Sequence, residues 1–232
     1  MRILISSGGT KVDIDPVRYI MNMSRGTMGA NIARQALINN DEVHFLTSDS
    51  GRTPFKLELD YNKLRPGMSQ SLISEVEQLH DDCGHLYTEF VYRTYDDYRT
   101  KMFALPKCFD YDAIIMVAAV SDYAVEYSEN KTKSDSEMSI SLTPTEKIID
   151  KMREISPKSK LVGFKLLNDA KVEDIQAVCD RYLVSKRLNM MIGNDLKALR
   201  DGKYYQVHAT DQESTIVNSD FEETILERLY SL

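Results

Sequence analysis

Apolar and polar positions alternate along this chain in two rhythms, and their order predicts strands interleaved with helices. Residues 2–7 (RILISS) form a short apolar run that stops at Gly8-Gly9, the pattern of a buried strand. Residues 28–38 carry apolar side chains at helical spacing, and residues 42–47 (EVHFLT) read as a second strand. A third strand is expected at 87–93, followed by a helix at 96–105. The uninterrupted run 112–120 (DAIIMVAAV) is the strongest strand signal, suited to a strand covered on both faces. Short strands at 160–165 and 189–192 enclose a helix near 171–188, and 203–232 offers a strand pair and a closing helix. This alternation implies a doubly wound, mostly parallel sheet within a single domain over residues 1–232.

Two regions break the rhythm. Residues 48–84 lack a strand, contain Pro54, Pro66 and Gly67, and read as an insertion with one helix around 71–79. Residues 121–143 are polar and then alternate in MSISL (138–142), an exposed arm leading into an edge strand that can cover a site or meet a second subunit. A net charge of −7 argues against a nucleic-acid or anionic-membrane partner. No apolar run approaches the roughly 20 residues of a bilayer span, and MRILISSGG reads as a strand rather than a secretion signal, so a cytoplasmic protein is expected. Cys83, Cys108 and Cys179 are too scattered for a disulfide framework or zinc site, and the four histidines form no metal motif.

The first strand–helix connection carries the chemistry. A Rossmann turn passes from strand to helix within a few residues. Here Gly8-Gly9-Thr10 is followed by KVDIDPVRYIMNMSRGTMG before the helix begins. Gly8 and Gly9 let backbone amides approach an anion closely, while Ser24, Gly26 and Gly29 fall at the expected helix amino terminus, where free amides and the dipole favour phosphate. The fold is therefore Rossmann-like, with an unusually long first loop. Asp15-Pro16 shapes that loop.

The pattern GGT-x(4)-DPVRYIxNxSxGxMG closely resembles the amino-terminal signature of phosphopantothenate–cysteine ligases of the monofunctional type. AAVSDY (118–123), Lys131, GFKL (163–166) and GND (193–195) follow in that family's order. The resemblance implies a ligase of coenzyme A biosynthesis that joins cysteine to 4'-phosphopantothenate. The substrate carboxylate attacks the α-phosphorus of CTP (or ATP), pyrophosphate leaves, and the cysteine amine displaces the nucleoside monophosphate. An ionised carboxylate needs no general base, so positioning and charge neutralisation dominate. By resemblance, Asn22 and Lys131 are the catalytic residues, Asn22 donating to the acyl oxygen as charge grows there. Arg18, Asn22 and Ala119 are the expected substrate contacts. Gly8, Gly9, Thr10, Ser24, Gly26, Gly29, Ala118, Asp122, Lys131, Phe164 and Lys186 are the expected nucleotide contacts. A homodimer and a Mg2+ ion accompanying the nucleotide are implied too, with no metal ligand assigned.

The chain departs from the pattern at Arg25, where the family has serine, at Tyr182, where it has a second lysine, and at Asn189, where many members carry aspartate. GFKL also resembles ATP-using members. Two rival readings stand beside the ligase. Tyr127-x-x-x-Lys131 has the spacing of short-chain NAD(P) oxidoreductases, but the TGxxxGxG cofactor loop is missing. An inert nucleotide-binding module on the same fold would lack use for Asn22 and Lys131.

Overall fold

Ile3, Leu4 and Ile5 are all fully buried, so the first strand has helices over both of its faces. The computed structural model describes residues 1–56, 68–131, 138–200, 205–209, 212–217 and 220–232. In chain order they form β1 (Arg2–Ser7), β2 (Lys11–Asp15), β3 (Arg18–Met21), α1 (Thr27–Ile38), β4 (Glu42–Ser48), α2 (Met68–Cys83), β5 (Tyr87–Tyr92), α3 (Tyr95–Cys108) and β6 (Ala113–Met116). There follow β7 (Tyr123–Val125), β8 (Leu142–Pro144), α4 (Ile149–Ile155), β9 (Lys160–Leu167), α5 (Val172–Lys186), β10 (Met190–Asp195), α6 (Leu196–Arg200), β11 (Tyr205–Ala209), β12 (Gln212–Val217) and α7 (Phe221–Ser231).

The main sheet has eight strands in the order β12-β11-β10-β9-β6-β1-β4-β5. Pairing is parallel from β5 through β10 and antiparallel where β11 and β12 are added. One apolar cluster gathers Ala30, Ala33 and Ala36 of α1, Leu79 of α2 and Ile225, Leu226 and Leu229 of α7 against Ile3, Ile5, Val162 and Ile192. The other gathers Tyr98 and Met102 of α3, Met152 of α4 and Ile175 and Cys179 of α5 against Leu4, Ile114 and Leu161. The result is a three-layer α/β/α sandwich, as expected from the alternation. The chain passes from β1 to β4 on one side and returns to β6 on the other, so the crevice at the carboxyl ends of β1 and β6 is the topological switch point.

Several local expectations change. The long first loop is a β2–β3 hairpin, whose turn is made by the Asp15 carboxylate accepting from the Val17 and Arg18 N–H groups at 2.9 and 2.8 Å. The apolar run 112–120 is a strand only over Ala113–Met116. Beyond it Ala119 leaves the β6–β9 pairing to bridge Gly9. The alternating 138–142 segment does not join the main sheet as an edge strand: Leu142–Pro144 pairs with Tyr123–Val125 in a separate two-stranded ribbon. Helices α4 and α6 had no counterpart in the expected pattern. Residues 57–67 of the 48–84 insertion, residues 132–137 of the arm and residues 203–204 at the start of the tail lie outside the described residues.

Candidate functional site

Two glycines in left-handed conformations, Gly8 (φ 89°) and Gly26 (φ 74°), bring the ends of the first loop together over the switch point. A Cβ built on Gly26 would stand 3.1 Å from the Gly8 nitrogen and 2.8 Å from Ser7 Oγ, so a side chain there would wedge the loop apart. Gly29 lies one turn on, where an added Cβ would fall 2.6 Å from Ser7 Cβ. At Gly9 it would meet the Asn22 carbonyl oxygen at 2.5 Å. The small residues Gly29, Ala30 and Ala33 let α1 settle onto β1, and Ser7 Oγ fastens the approach by donating to the Gly26 carbonyl at 3.0 Å.

Gly26 is the N-cap of α1 and offers no side-chain acceptor to the first turn. The first helical bond runs from Ala30 N to Gly26 O at 3.0 Å, leaving the N–H groups of Thr27, Met28 and Gly29 at the helix mouth with the positive end of the dipole behind them. Such a mouth is suited to an anion. The segment that leaves β3 for the helix carries an open hollow of about 500 Å³ lined by Met21, Asn22, Met23, Ser24 and Arg25.

The β6 end completes the crevice. Ala119 donates to Gly8 O at 2.8 Å and accepts from Thr10 N at 3.2 Å, which brings Ala118 and Ala119 against the glycine turn. Asn22 Nδ2 donates to Val120 O at 3.1 Å, so the hairpin's last residues lean on the same segment. Thr10 is fully buried and its hydroxyl accepts from Ser121 N at 2.9 Å; its side chain therefore ties β1 to the β6 extension rather than facing the crevice.

The remaining expected residues spread out from this centre. Ser24 Oγ accepts from Gly26 N at 3.4 Å within the turn. Arg18 stays at the hairpin tip, its guanidinium 3.6 Å from the buried Asp15 carboxylate. Asp122 is exposed and ion-paired with Lys147, a residue the sequence pattern did not single out. Lys131 is exposed on the arm that follows β7, and that arm is held against the hairpin by Ser128 N donating to Ile14 O at 2.9 Å. Phe164 is half-buried on the α1–α7 face of β9. Lys186 lies in the last turn of α5, on the opposite face, with its ammonium 2.8 Å from Asp150 of α4, so within this chain it is engaged in the helix layer and not in the glycine crevice. Ser7 went unnoticed in the sequence, where a hydroxyl at a strand end carries no periodic signal.

Among the described residues no group of three or more His, Cys, Asp or Glu side chains forms a metal cage, and no helix is long and apolar enough to cross a membrane.

Comparison with known proteins places this geometry. The chain is 28% identical over 221 residues to the bifunctional coenzyme A biosynthesis protein CoaBC of Thermococcus kodakarensis, covering 95% of this chain and 45% of that protein. It is 26% identical over 239 residues to the Saccharomyces cerevisiae phosphopantothenate–cysteine ligase CAB2, covering 84% of this chain and 65% of the yeast protein. The chain thus spans less than half of the first relative and about two thirds of the second. Among solved structures, a Cab2 mutant in complex with phosphopantothenate-cysteine superposes with a TM-score of 0.82 at 25% identity, covering 99% of this chain and 85% of that one. The Streptococcus pneumoniae DNA/pantothenate metabolism flavoprotein shares the fold at a TM-score of 0.77 and 24% identity, over 100% and 99% of the two chains. The model of the DNA/pantothenate metabolism flavoprotein C-terminal domain matches residues 1–83 and 97–229, and with that much of its length inside the match the chain belongs to this family.

Proposed function

We propose that this chain joins cysteine to 4'-phosphopantothenate through an acyl-nucleotide intermediate. The observation that carries the reading is the meeting of Gly8 with Gly26 above the switch point, which turns one long loop into an amide-lined cradle for phosphate. The names of the relatives support the substrates: CAB2 is a phosphopantothenate–cysteine ligase, and the superposed Cab2 complex contains phosphopantothenate-cysteine.

The steps follow from what these groups can hold. Open amides at Thr27–Gly29 and Gly8 bind phosphate oxygens and align the α-phosphorus with the attacking carboxylate. Asn22, placed by its bond to Val120, donates its amide N–H to the acyl oxygen as the cysteine amine adds. Lys131, on the arm beside the hairpin, closes over the triphosphate and neutralises charge on the leaving group. Arg18 opens from Asp15 to meet the phosphorylated acid. Asp122 accepts from the nucleotide's ribose or base, and Phe164 packs near the base. The donor set suits a magnesium ion that arrives on the nucleotide: Mg2+ takes most of its ligands from phosphates and water, with one or two carboxylates, and exposed Asp122 is one carboxylate at this edge. When bound, it would neutralise the phosphates.

CTP is the proposed nucleotide, with ATP the alternative. A homodimer is proposed as well, because Val17 (60% exposed) and Met23 (100% exposed) on the hairpin and Tyr123 and Leu142 on the ribbon offer apolar side chains a second copy would cover. The test is to supply 4'-phosphopantothenate, cysteine and Mg2+ with CTP or ATP in turn, following pyrophosphate and nucleoside monophosphate. Pyrophosphate and CMP in equal amounts are expected; no product with either nucleotide would remove the assignment. Asn22→Asp should accumulate the acyl-nucleotide and slow the final product, and unchanged turnover would discard the role given to Asn22.

A further inference from the structure

Beneath the cradle, on the face away from α1, lies a buried phenol. Tyr92, the last residue of β5, is fully buried and comes from a position 85 residues beyond Ser7, yet its hydroxyl donates to the Ser7 carbonyl oxygen at 2.8 Å. Its ring packs edge-on to Tyr98 with centroids 4.9 Å apart, so the hydroxyl is fixed in direction as well as distance. Burial raises the phenol far above its usual range, and it remains a proton donor at every working pH.

A trans peptide unit is planar, with its N–H opposite its C=O. Every peptide among the described residues is trans. Drawing the Ser7 oxygen toward Tyr92 therefore turns the Gly8 N–H away from the α3 face, toward the side on which Gly26 stands. The Gly8 φ of 89° bends the chain immediately afterwards, so this is the last peptide of β1 that the pairing with β4 reaches, and the phenol adds a second hold on its carbonyl. We infer that Tyr92 is a positioning residue of the cradle: its phenol holds the Ser7–Gly8 peptide so that the Gly8 amide points at a bound phosphate oxygen. The inference deepens the ligase reading and rests on it for the phosphate.

The test is Tyr92→Phe in the full chain, with Tyr98→Phe as control, since that phenol meets the Ser6 hydroxyl at 3.0 Å and no carbonyl. Binding of CTP, ATP and 4'-phosphopantothenate is measured singly by calorimetry, beside KM for each substrate and kcat. Tyr92→Phe should weaken whichever phosphate ligand sits on Gly8 about tenfold, as expected for one misaimed charge-assisted bond. The cysteine KM should stay within about twofold, and Tyr98→Phe should bind like the wild type. The ligand that weakens tells which of the two sources, nucleotide or phosphorylated acid, occupies the Gly8 amide. Unchanged binding of all three in Tyr92→Phe, or equal weakening in Tyr98→Phe, would overturn the inference. A wild-type chain that binds these ligands but makes no amide would sink the ligase reading alone, while the binding comparison still decides Tyr92; a chain that binds none sinks both.

Discussion

The two edges of the central sheet are built on opposite plans. At the amino-terminal edge, polar groups are closed onto one another. Asp41 accepts from the Met1 amine at 2.6 Å and from the Tyr230 hydroxyl at 2.5 Å. His44 Nδ1 and the Tyr111 hydroxyl are 2.6 Å apart, and Ser159 Oγ donates to Tyr111 O at 2.6 Å. Arg153 donates to the carbonyls of Arg187, Pro157 and Ser159 and to Asn189 Oδ1 at 2.6 Å. At the carboxyl-terminal edge, side chains instead support backbone from below, through Tyr92, Ser7 and Thr10, and the first turn of α1 above has no side-chain cap on its amides. One edge spends its hydrogen bonds on stability, and the other keeps donors for a ligand.

Substituting within the open edge is the strongest way to break this comparison. Gly26→Ala sets a Cβ 2.8 Å from Ser7 Oγ and 3.1 Å from the Gly8 nitrogen, on a residue whose positive φ already disfavours an L side chain. The loop ends must part by a fraction of an ångström or more, and a misplacement of about 1 Å costs on the order of 100-fold in rate. The expected result is a fall of about that size in kcat/KM for ligation, with a stability loss of only about 1–3 kcal/mol in chemical denaturation. A full loss of folding with no separable loss of rate would show that this edge too is organised for stability.

The closed edge should answer the other way. Arg153→Met keeps the apolar stem but removes a guanidinium that clamps the turns before β9 and β10. Several carbonyls and Asn189 lose a charged donor, so a stability loss of about 2–3 kcal/mol is expected by denaturant titration. The folded fraction should retain wild-type KM values. A KM change larger than the stability change would join Arg153 to the site.

How much of this was legible in the sequence follows from the range of each interaction. The apolar runs at Ile3–Ile5 and Ala113–Met116 announce buried parallel strands, because both faces of each must be covered. The run continues through Val117–Val120 with the same composition, so nothing in it says that the strand ends where Ala119 turns to bridge Gly9. The β2–β3 hairpin was hidden because an Asp15 side chain makes its turn and only Val12 and Ile14 alternate before it. The glycines of the cradle were readable since each demands its own local backbone. Their support was not: Tyr92 reaches Ser7 across 85 residues and Lys147 reaches Asp122 across 25, distances over which periodicity carries no information.

The mildest perturbation is acid, and it sharpens the contrast without touching the cradle. His44 is 4% exposed, and burial, opposed by Glu42 and aided by Arg2, holds its imidazole below the ordinary value near 6.5. His208 is lowered by burial as well, opposed by Asp180. A lowered folded-state value means the unfolded chain takes up the proton first, so this contribution is present above about pH 6.5 and is lost as pH falls through the folded-state value. Asp195 acts in the same sense at lower pH, its carboxylate held below the usual range by the Ala170, Ala198 and Lys197 amides. From pH 7.5 to 5.5 the melting temperature should fall by about 2–4 °C, the shift expected for roughly 1 kcal/mol in a chain of this size. His44→Gln should flatten that slope, leaving the part due to His208. An unchanged slope would mean that burial does not hold the His44 ring neutral, and that the closed edge tolerates charge where its geometry says it should not.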